Sequence, residues 1–238
     1  MKMDYDIIVI GAGNAGLEAA CAGARLGKKT VLITFSKENV GELSCNPSIG
    51  GVAKGTIVRE VDALDGVMGK LADRAGIQFR ILNASKGPAV HSPRTQIDRE
   101  LYKKFALELV ENYENLTLIE AEVVDLIIEN DTAMGVVLAN GDKLYSHKVI
   151  LTTGTFLNGV IHVGFDSHDA GRINEKPSKK LAESIKRLGL RVGRLKTGTP
   201  ARIKKDTIDY SVLEAQKPDD DPKPFSYMTE RITNPQIK

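Results

Sequence analysis

The chain contains no tryptophan, and its 238 residues include only six phenylalanines, six tyrosines, four histidines and two cysteines. Two cysteines cannot build the disulfide framework of a small secreted domain, and they fit a reducing, cytoplasmic setting. Sparse aromatics with no stacking pattern argue against a self-contained single-strand RNA-binding module. His91, His147, His162 and His168 stand at no metal-ligand spacing, so no metal site is expected. No apolar run approaches the roughly 20 residues of a membrane-spanning helix, and no secretory leader precedes the first apolar run. No membrane association is therefore expected. No internal repeat is visible. The length suffices to bury a real core, as one large or two small domains.

The first informative pattern is Gly11-Ala12-Gly13-Asn14-Ala15-Gly16. Asp6–Ile10 before it is a short β-branched run, expected as a buried parallel strand. In the G-x-G-x-x-G spacing, Gly11 allows the tight turn, Gly13 lets a diphosphate approach the backbone, and Gly16 lets the next helix pack close. That helix carries Leu17, Ala20, Cys21 and Ala24 on one apolar face, which makes Cys21 a core residue, and Gly27 is its stop. Thr30–Thr34 closes a βαβ unit. The carboxylate that usually ends this second strand is missing: Thr34, Phe35 and Ser36 occupy the place, and Glu38 lies past the strand. The ribose contact is left without an assigned residue. Further on, two β-rich runs, Glu122–Ile128 and Ala133–Leu138, join at Glu129-Asn130-Asp131. Asn140-Gly141 turns the chain into Lys143–Ser146, and it returns through Val149–Leu151 to Thr152-Thr153-Gly154. This β-meander followed by a strand and a small-residue turn resembles the layout of flavoproteins with two dinucleotide-binding domains.

Two other stretches carry chemistry. In Ser44-Cys45-Asn46-Pro47-Ser48-Ile49-Gly50-Gly51 a cysteine stands in a polar, glycine-rich turn. An arbitrary cysteine is more often a small core residue, but this setting suits a reactive thiol beside a cofactor. The segment after Gly51 can open a helix, and Lys54 and Arg59 add positive charge that would favour a thiolate. Second, net charge is only +2, yet residues 172–205 hold twelve Lys or Arg and two Glu, an excess of +10. Pro177-Ser178 opens a helix there with Leu181, Ile185 and Leu188 as its core face. Lys179, Lys180, Lys186 and Arg187 fall mainly off that face. Such a block could bind phosphates, but on charge alone the solvated surface is the favoured reading. The tail (Lys217–Pro224) is proline-rich and polar, and Phe225–Met228 has the character of a strand beginning.

These segments resemble the N-terminal part of the MnmG (GidA) family of FAD-dependent tRNA uridine 5-carboxymethylaminomethyl modification enzymes. The similarity runs through Gly11–Glu18, Ser44–Lys54, Glu60–Leu64, Gly76–Val90, Gln96–Arg99, Gly154–Leu157 and Leu190–Pro200, in order and along nearly the whole chain. The Cys-Asn-Pro and Asn-Ala-Ser-Lys-Gly-Pro blocks are the specific ones, whereas His91–Arg94 is less typical. The resemblance implies an α/β fold: a Rossmann-like, glutathione-reductase-type FAD-binding domain with a β-meander over residues 1–200. The start of an inserted second domain would follow over 201–238.

The resemblance also implies that Gly11, Ala12, Gly13, Asn14, Ala15 and Gly16 hold the FAD diphosphate. Val123, through its backbone, and Ser178 would contact FAD as well. Cys45 is the implied catalytic residue, NADH the reductant, and Lys179, Lys180, Lys186 and Arg187 candidates for tRNA. With the GTPase MnmE, such enzymes add an aminomethyl-type group to C5 of the wobble uridine, using a folate one-carbon unit and nitrogen from glycine or ammonium. Family members are far longer, form homodimers, meet MnmE through a C-terminal helical region, and carry a second cysteine beyond the part matched here. The isolated chain is therefore expected to show little turnover. Two alternatives stay open: a folate- and FAD-dependent tRNA uridine C5-methyltransferase, and a flavin-binding fragment without turnover.

Overall fold

The computed structural model describes residues 2–44, 46–198 and 203–238. Its strands and helices, numbered along the chain, begin with β1 (Tyr5–Ile10), α1 (Asn14–Arg25), β2 (Thr30–Thr34), β3 (Ser48–Gly50), α2 (Lys54–Asp62) and α3 (Met68–Ala75). Next come β4 (Gly76–Leu82), β5 (Ser92–Ile97), α4 (Arg99–Glu111), β6 (Leu116–Glu120), β7 (Val123–Glu129) and β8 (Thr132–Leu138). The last are β9 (Lys143–Leu151), β10 (Val160–Val163), β11 (Asp166–Asp169) and α5 (Lys179–Arg187). The chain divides into two compact units that interleave in sequence: residues 1–42 with 106–193, and residues 43–105 with 194–238.

The first unit is built on a six-stranded sheet of order β6-β2-β1-β9-β8-β7. β6, β2, β1 and β9 run parallel, and β8 and β7 add antiparallel. Both faces of the parallel part are covered, which is why β1 and β2 read as unbroken apolar runs rather than alternating ones. Ile8, Ile10, Val31 and Ile33 share one buried cluster with Val123, Val136, Leu138, Leu181 and Ile185. α1 packs against β1 and β2 and buries Leu17, Ala20, Cys21 and Ala24. Gly27 ends this helix in the left-handed region (φ 72).

The expected meander is present, with one difference. Lys143–Ser146 and Val149–Leu151 are one nine-residue strand, because His147 and Lys148 interrupt the apolar pattern but not the backbone register. Its first residues pair with β8, and Ser146–Leu151 pair with β1. The β7–β8 turn places Asn130 and Asp131 both at positive φ (49 and 58), as a tight hairpin of this twist requires. Ser178 is the N-cap of α5, close to the expected start, and the helix buries Leu181 and Ile185, but Leu188 follows the last helical turn and is 41% exposed. The third buried position is Ser184 instead.

The second unit holds a three-stranded antiparallel sheet of order β3-β5-β4. α2 packs on α3, β3 and β5, and Ile49, Val58, Leu71, Ala72, Phe79 and Ile97 are buried there. Residues 203–238 pack in this unit with residues 43–105. They cap the open edge of β4: the Asp219 and Ile237 N–H groups donate to the Phe79 and Ile77 carbonyls. The Asp219 carboxylate in turn accepts the Ile81 N–H at 2.7 Å. An edge strand so covered offers no template to another chain.

Phe225–Met228, expected to begin a strand, is a turn instead. Its N–H groups point at carboxylates: Phe225 and Ser226 donate to Asp73 Oδ1 and Oδ2 at 2.7 and 2.9 Å, and Tyr227 donates to Asp62 Oδ2 at 2.8 Å. Such capture of successive N–H groups competes with strand pairing. Burial holds the Asp73 carboxyl above its ordinary 3.8, opposed by the Phe225, Ser226 and Thr229 hydrogen bonds and assisted by the Asp62 charge. A raised acid pKa means that the folded state binds the extra proton. Asp73 thus contributes stability below 3.8 that is lost as pH climbs through its folded pKa. Asp73→Asn should cost about 1–3 kcal/mol by setting an amide donor against donors. Its deficit relative to wild type should widen as pH falls from neutral, as read by thermal melts at several pH values.

Candidate functional site

In the first unit the glycine loop leaves the carboxyl end of β1 and enters α1. Gly11 has φ 102, and a Cβ there would meet the Thr152 carbonyl oxygen at 2.5 Å. A Cβ on Gly16 would lie 1.7 Å from the Gly11 carbonyl oxygen, so the helix passes this strand end too closely for any side chain. Gly13 differs: nothing lies within 4 Å of a Cβ built on it. It is the N-cap of α1, and no side chain caps the helix. The first turn of a twelve-residue helix therefore presents N–H groups and the positive end of its dipole at an open, side-chain-free position. That is the arrangement a dinucleotide diphosphate needs, and the residues fit it.

Thr152, just past β9, secures the loop. Its N–H donates to the Ile10 carbonyl at 2.9 Å, and its Oγ1 lies 2.9 and 2.8 Å from the Ile10 and Gly11 carbonyl oxygens, which share its one proton. Sequence reasoning placed Thr152 in a turn and gave it no role. The available signal was its position, directly after a strand that neighbours β1. On the other side of β1, the Gly41 N–H donates to the Ala12 carbonyl at 2.9 Å and ties the segment after β2 to the loop.

Val123 opens β7, just past the carboxyl end of β6. Its side chain belongs to the buried apolar cluster, so a contact with a cofactor would come from its main chain. Ser178, 3% exposed, donates its N–H to the Phe156 carbonyl at 2.8 Å and accepts from the Asn158 N–H. It is the N-cap of α5, without a side-chain hydrogen bond to that helix. Glycine loop, Val123 and Ser178 thus all lie in the first unit. The loop and Val123 stand at the carboxyl ends of parallel strands, where open α/β sheets bind ligands.

Where a carboxylate usually ends β2, Thr34 Oγ1 donates to the Ser36 carbonyl and Ser36 Oγ accepts the Glu38 N–H. Phe35 is 40% exposed, and its ring centroid lies 5.6 Å from that of Phe156. The Arg172 guanidinium sits 5.1 Å from the Phe156 centroid and is ion-paired with Glu175 at 2.9 Å.

The four basic candidates are all exposed on α5, but they are not equivalent. Arg187 grips Asp125 of β7 through both carboxylate oxygens, at 2.8 and 2.9 Å, and the Ser184 hydroxyl donates to the same carboxylate. Lys179 is ion-paired with Asp169.

Cys45 lies outside the described residues, as do residues 199–202 of the basic stretch. The described part of its loop belongs to the second unit. Ser44, Asn46 and Pro47 are exposed, the Ser48 N–H donates to the Asn46 carbonyl, and the Ile97 N–H donates to the Pro47 carbonyl, both at 2.7 Å. Gly50 and Gly51 have φ 97 and 108, and α2 follows as expected. The two charges expected to favour a thiolate both donate to main-chain carbonyls. Lys54 Nζ donates to the Ser48 carbonyl, while Arg59 donates to the Pro224 carbonyl and lies over the Tyr227 ring. Among the described residues no group of three or more His, Cys, Asp or Glu is placed to hold a metal ion, and no helix is long and apolar enough to cross a membrane.

Comparison with known proteins agrees with this geometry. The family model described as glucose inhibited division protein A matches residues 6–238. The chain is 56% identical over 236 residues to the tRNA uridine 5-carboxymethylaminomethyl modification enzyme MnmG of Thermodesulfovibrio yellowstonii, covering 99% of this chain and 38% of that protein. It is 54% identical over 230 residues to the protein of the same name from Sulfurihydrogenibium sp., covering 96% and 37%. The solved structure of Aquifex aeolicus GidA matches with a TM-score of 0.93 and 45% identity, over 98% of this chain and 40% of that one. The chain thus spans about two fifths of the length of these relatives. In sequence from residue 6 to residue 238, and in fold, it belongs to the glucose inhibited division protein A (GidA, MnmG) family.

Proposed function

We propose that this chain is the cofactor-binding and cysteine-bearing part of an FAD-dependent enzyme that modifies tRNA uridine. The observation that carries the reading is the open glycine N-cap of α1 at Gly13, set between Gly11 and Gly16. It occurs in a chain 56% identical to a protein named for that modification. This identity also favours the reading over a C5-methyltransferase or a binding fragment without turnover. Bound FAD supplies the redox chemistry, and NADH is the proposed reductant. Gly11–Gly16 would hold the diphosphate, with Val123 and Ser178 as further contacts. In the longer protein, residues 1–200 would form the N-terminal part of the FAD domain, and 201–238 would open an inserted domain.

The proposed substrate position is C5 of the wobble uridine in tRNA, acting with the GTPase MnmE in the cytoplasm, as a homodimer. MnmE would be met through a region beyond the residues described. C5 of uracil is a poor nucleophile until a group adds at C6. A Cys45 thiolate can form an S–C6 bond and push the electron pair toward C5 and O4 as an enolate. Loss of the C5 proton later expels the thiolate and restores the ring. Among the basic candidates, Lys180 and Lys186 are the exposed cations of α5 left for phosphates, since Lys179 and Arg187 are held by Asp169 and Asp125.

Titration of the purified protein with FAD should produce the two-band spectrum of bound flavin; no binding at saturating FAD overturns the reading. Gly13→Ala should leave the melting temperature near that of wild type and weaken FAD at least tenfold, whereas Gly16→Ala should lower the melting temperature itself. Cys45→Ser should abolish the modified uridine in cellular tRNA, and normal levels would remove Cys45 from the chemistry. Lys180→Glu with Lys186→Glu should weaken tRNA binding and flatten its salt dependence by about one unit of log–log slope per lost phosphate contact. The same reversal at Lys179 should do less.

A further inference from the structure

We propose that Phe35 and Phe156 form the platform for the adenosine half of the dinucleotide, an aromatic contact standing where a ribose-binding carboxylate would otherwise be. The inference rests on the dinucleotide reading above and assigns the part of the site that reading leaves open.

The strand order fixes the geometry. β2 and β9 flank β1, and strands two apart are separated by about 10 Å. Phe35 is the first residue after β2, and Phe156 comes five residues after β9. Their centroids are nevertheless only 5.6 Å apart. The two side chains therefore reach toward each other from the flanking strands, at the sheet end where β1 gives way to the glycine loop. The Gly41 N–H to Ala12 bond and the Thr152 bonds hold the segments that carry both rings against that loop.

Phe156 is fixed. A Cβ on Gly171 would meet its ring at 2.1 Å, so the ring lies flush against backbone. Arg172, anchored by Glu175, lies over it. Phe35 is the open partner: it is 40% exposed, and its ring meets Phe156.

Several polar groups nearby are engaged within the segment itself. Ser36 and Thr34 are used within their own turn. Glu120, opposite Thr34 in the β2–β6 register, accepts the Lys37 N–H at 2.8 Å. A heteroaromatic base gains from stacking on an exposed ring. Aromatic surface therefore suits the adenine.

The test is flavin titration of the purified protein with FAD, and competition by ADP, which carries the adenosine half alone. Phe35→Leu keeps an apolar side chain at an exposed position and removes the ring. It should weaken FAD and ADP by the same factor, about tenfold, with an unchanged melting temperature, and Phe35→Tyr should restore both. FAD and ADP affinities within twofold of wild type in Phe35→Leu overturn the proposal, as does a loss that Phe35→Tyr fails to rescue. Failure of the wild-type protein itself to bind FAD would instead overturn the dinucleotide reading.

Discussion

The close passage of α1 over the end of β1 is the constraint on which the first unit depends. Gly16 must lack a side chain because the Gly11 carbonyl occupies the space of its Cβ. Gly11 must lie at positive φ so that the chain can turn from strand to helix within three residues. Once this crossing is made, the remaining features follow. The helix arrives with a glycine N-cap that contributes no side chain, and Gly13 keeps the approach open. The strand next to β1 supplies Thr152, whose hydroxyl serves two carbonyls of the turn. A turn built from main-chain groups loses its shape with small backbone shifts, so hydrogen bonds from both flanking segments hold it in place.

The second unit solves a different problem by different means. Its sheet has three strands, too few to bury two faces and two edges unaided. The C-terminal residues form no strand there, yet they satisfy the outer edge of β4 group by group, with main-chain donors and with the Asp219 and Gln236 side chains. Asp73 and Asp62 then fix the turn at Phe225, whose ring is almost fully buried. The carboxylates are charged groups in an apolar setting, and burial raises the Asp73 pKa despite its hydrogen bonds. The balance shows that backbone donors compensate the desolvation of this acid only in part.

Legibility in the sequence followed the range of the interactions. β1, α1 and β2 were readable because their signals are local: an unbroken β-branched run, glycines at fixed spacing, and a stop glycine. Cys21 as a core residue followed from the same helical periodicity. The continuity of β9 was not readable, since His147 and Lys148 look like a break, and only pairing with β1 shows that the strand runs on. Leu188 was misassigned because a periodic pattern does not say where the helix ends. Phe225–Met228 looked like a strand by composition, but its conformation is set by two carboxylates more than 150 residues earlier. The glycine loop was legible from sequence as a strand-to-helix turn with dinucleotide spacing. Thr152 and the Phe35–Phe156 pair were not, because their meaning depends on which strands are neighbours.

The same distinction governs the basic stretch. A formal excess of +10 between residues 172 and 205 counts only charges near in sequence. The field outside the protein depends on charges near in space, and beyond a Debye length of about 8 Å a tight ion pair contributes little. Arg187 meets Asp125 and Lys179 meets Asp169, both acids outside that stretch, while Arg172 meets Glu175 within it. The Arg187–Asp125 pair also works inward: with Ser184 it docks α5 on β7, beside the apolar contacts of Leu181 and Ile185. Two of the four cations on α5 are therefore partly committed to positioning the helix, and the two that are not, Lys180 and Lys186, dominate what a polyanion would meet on its surface.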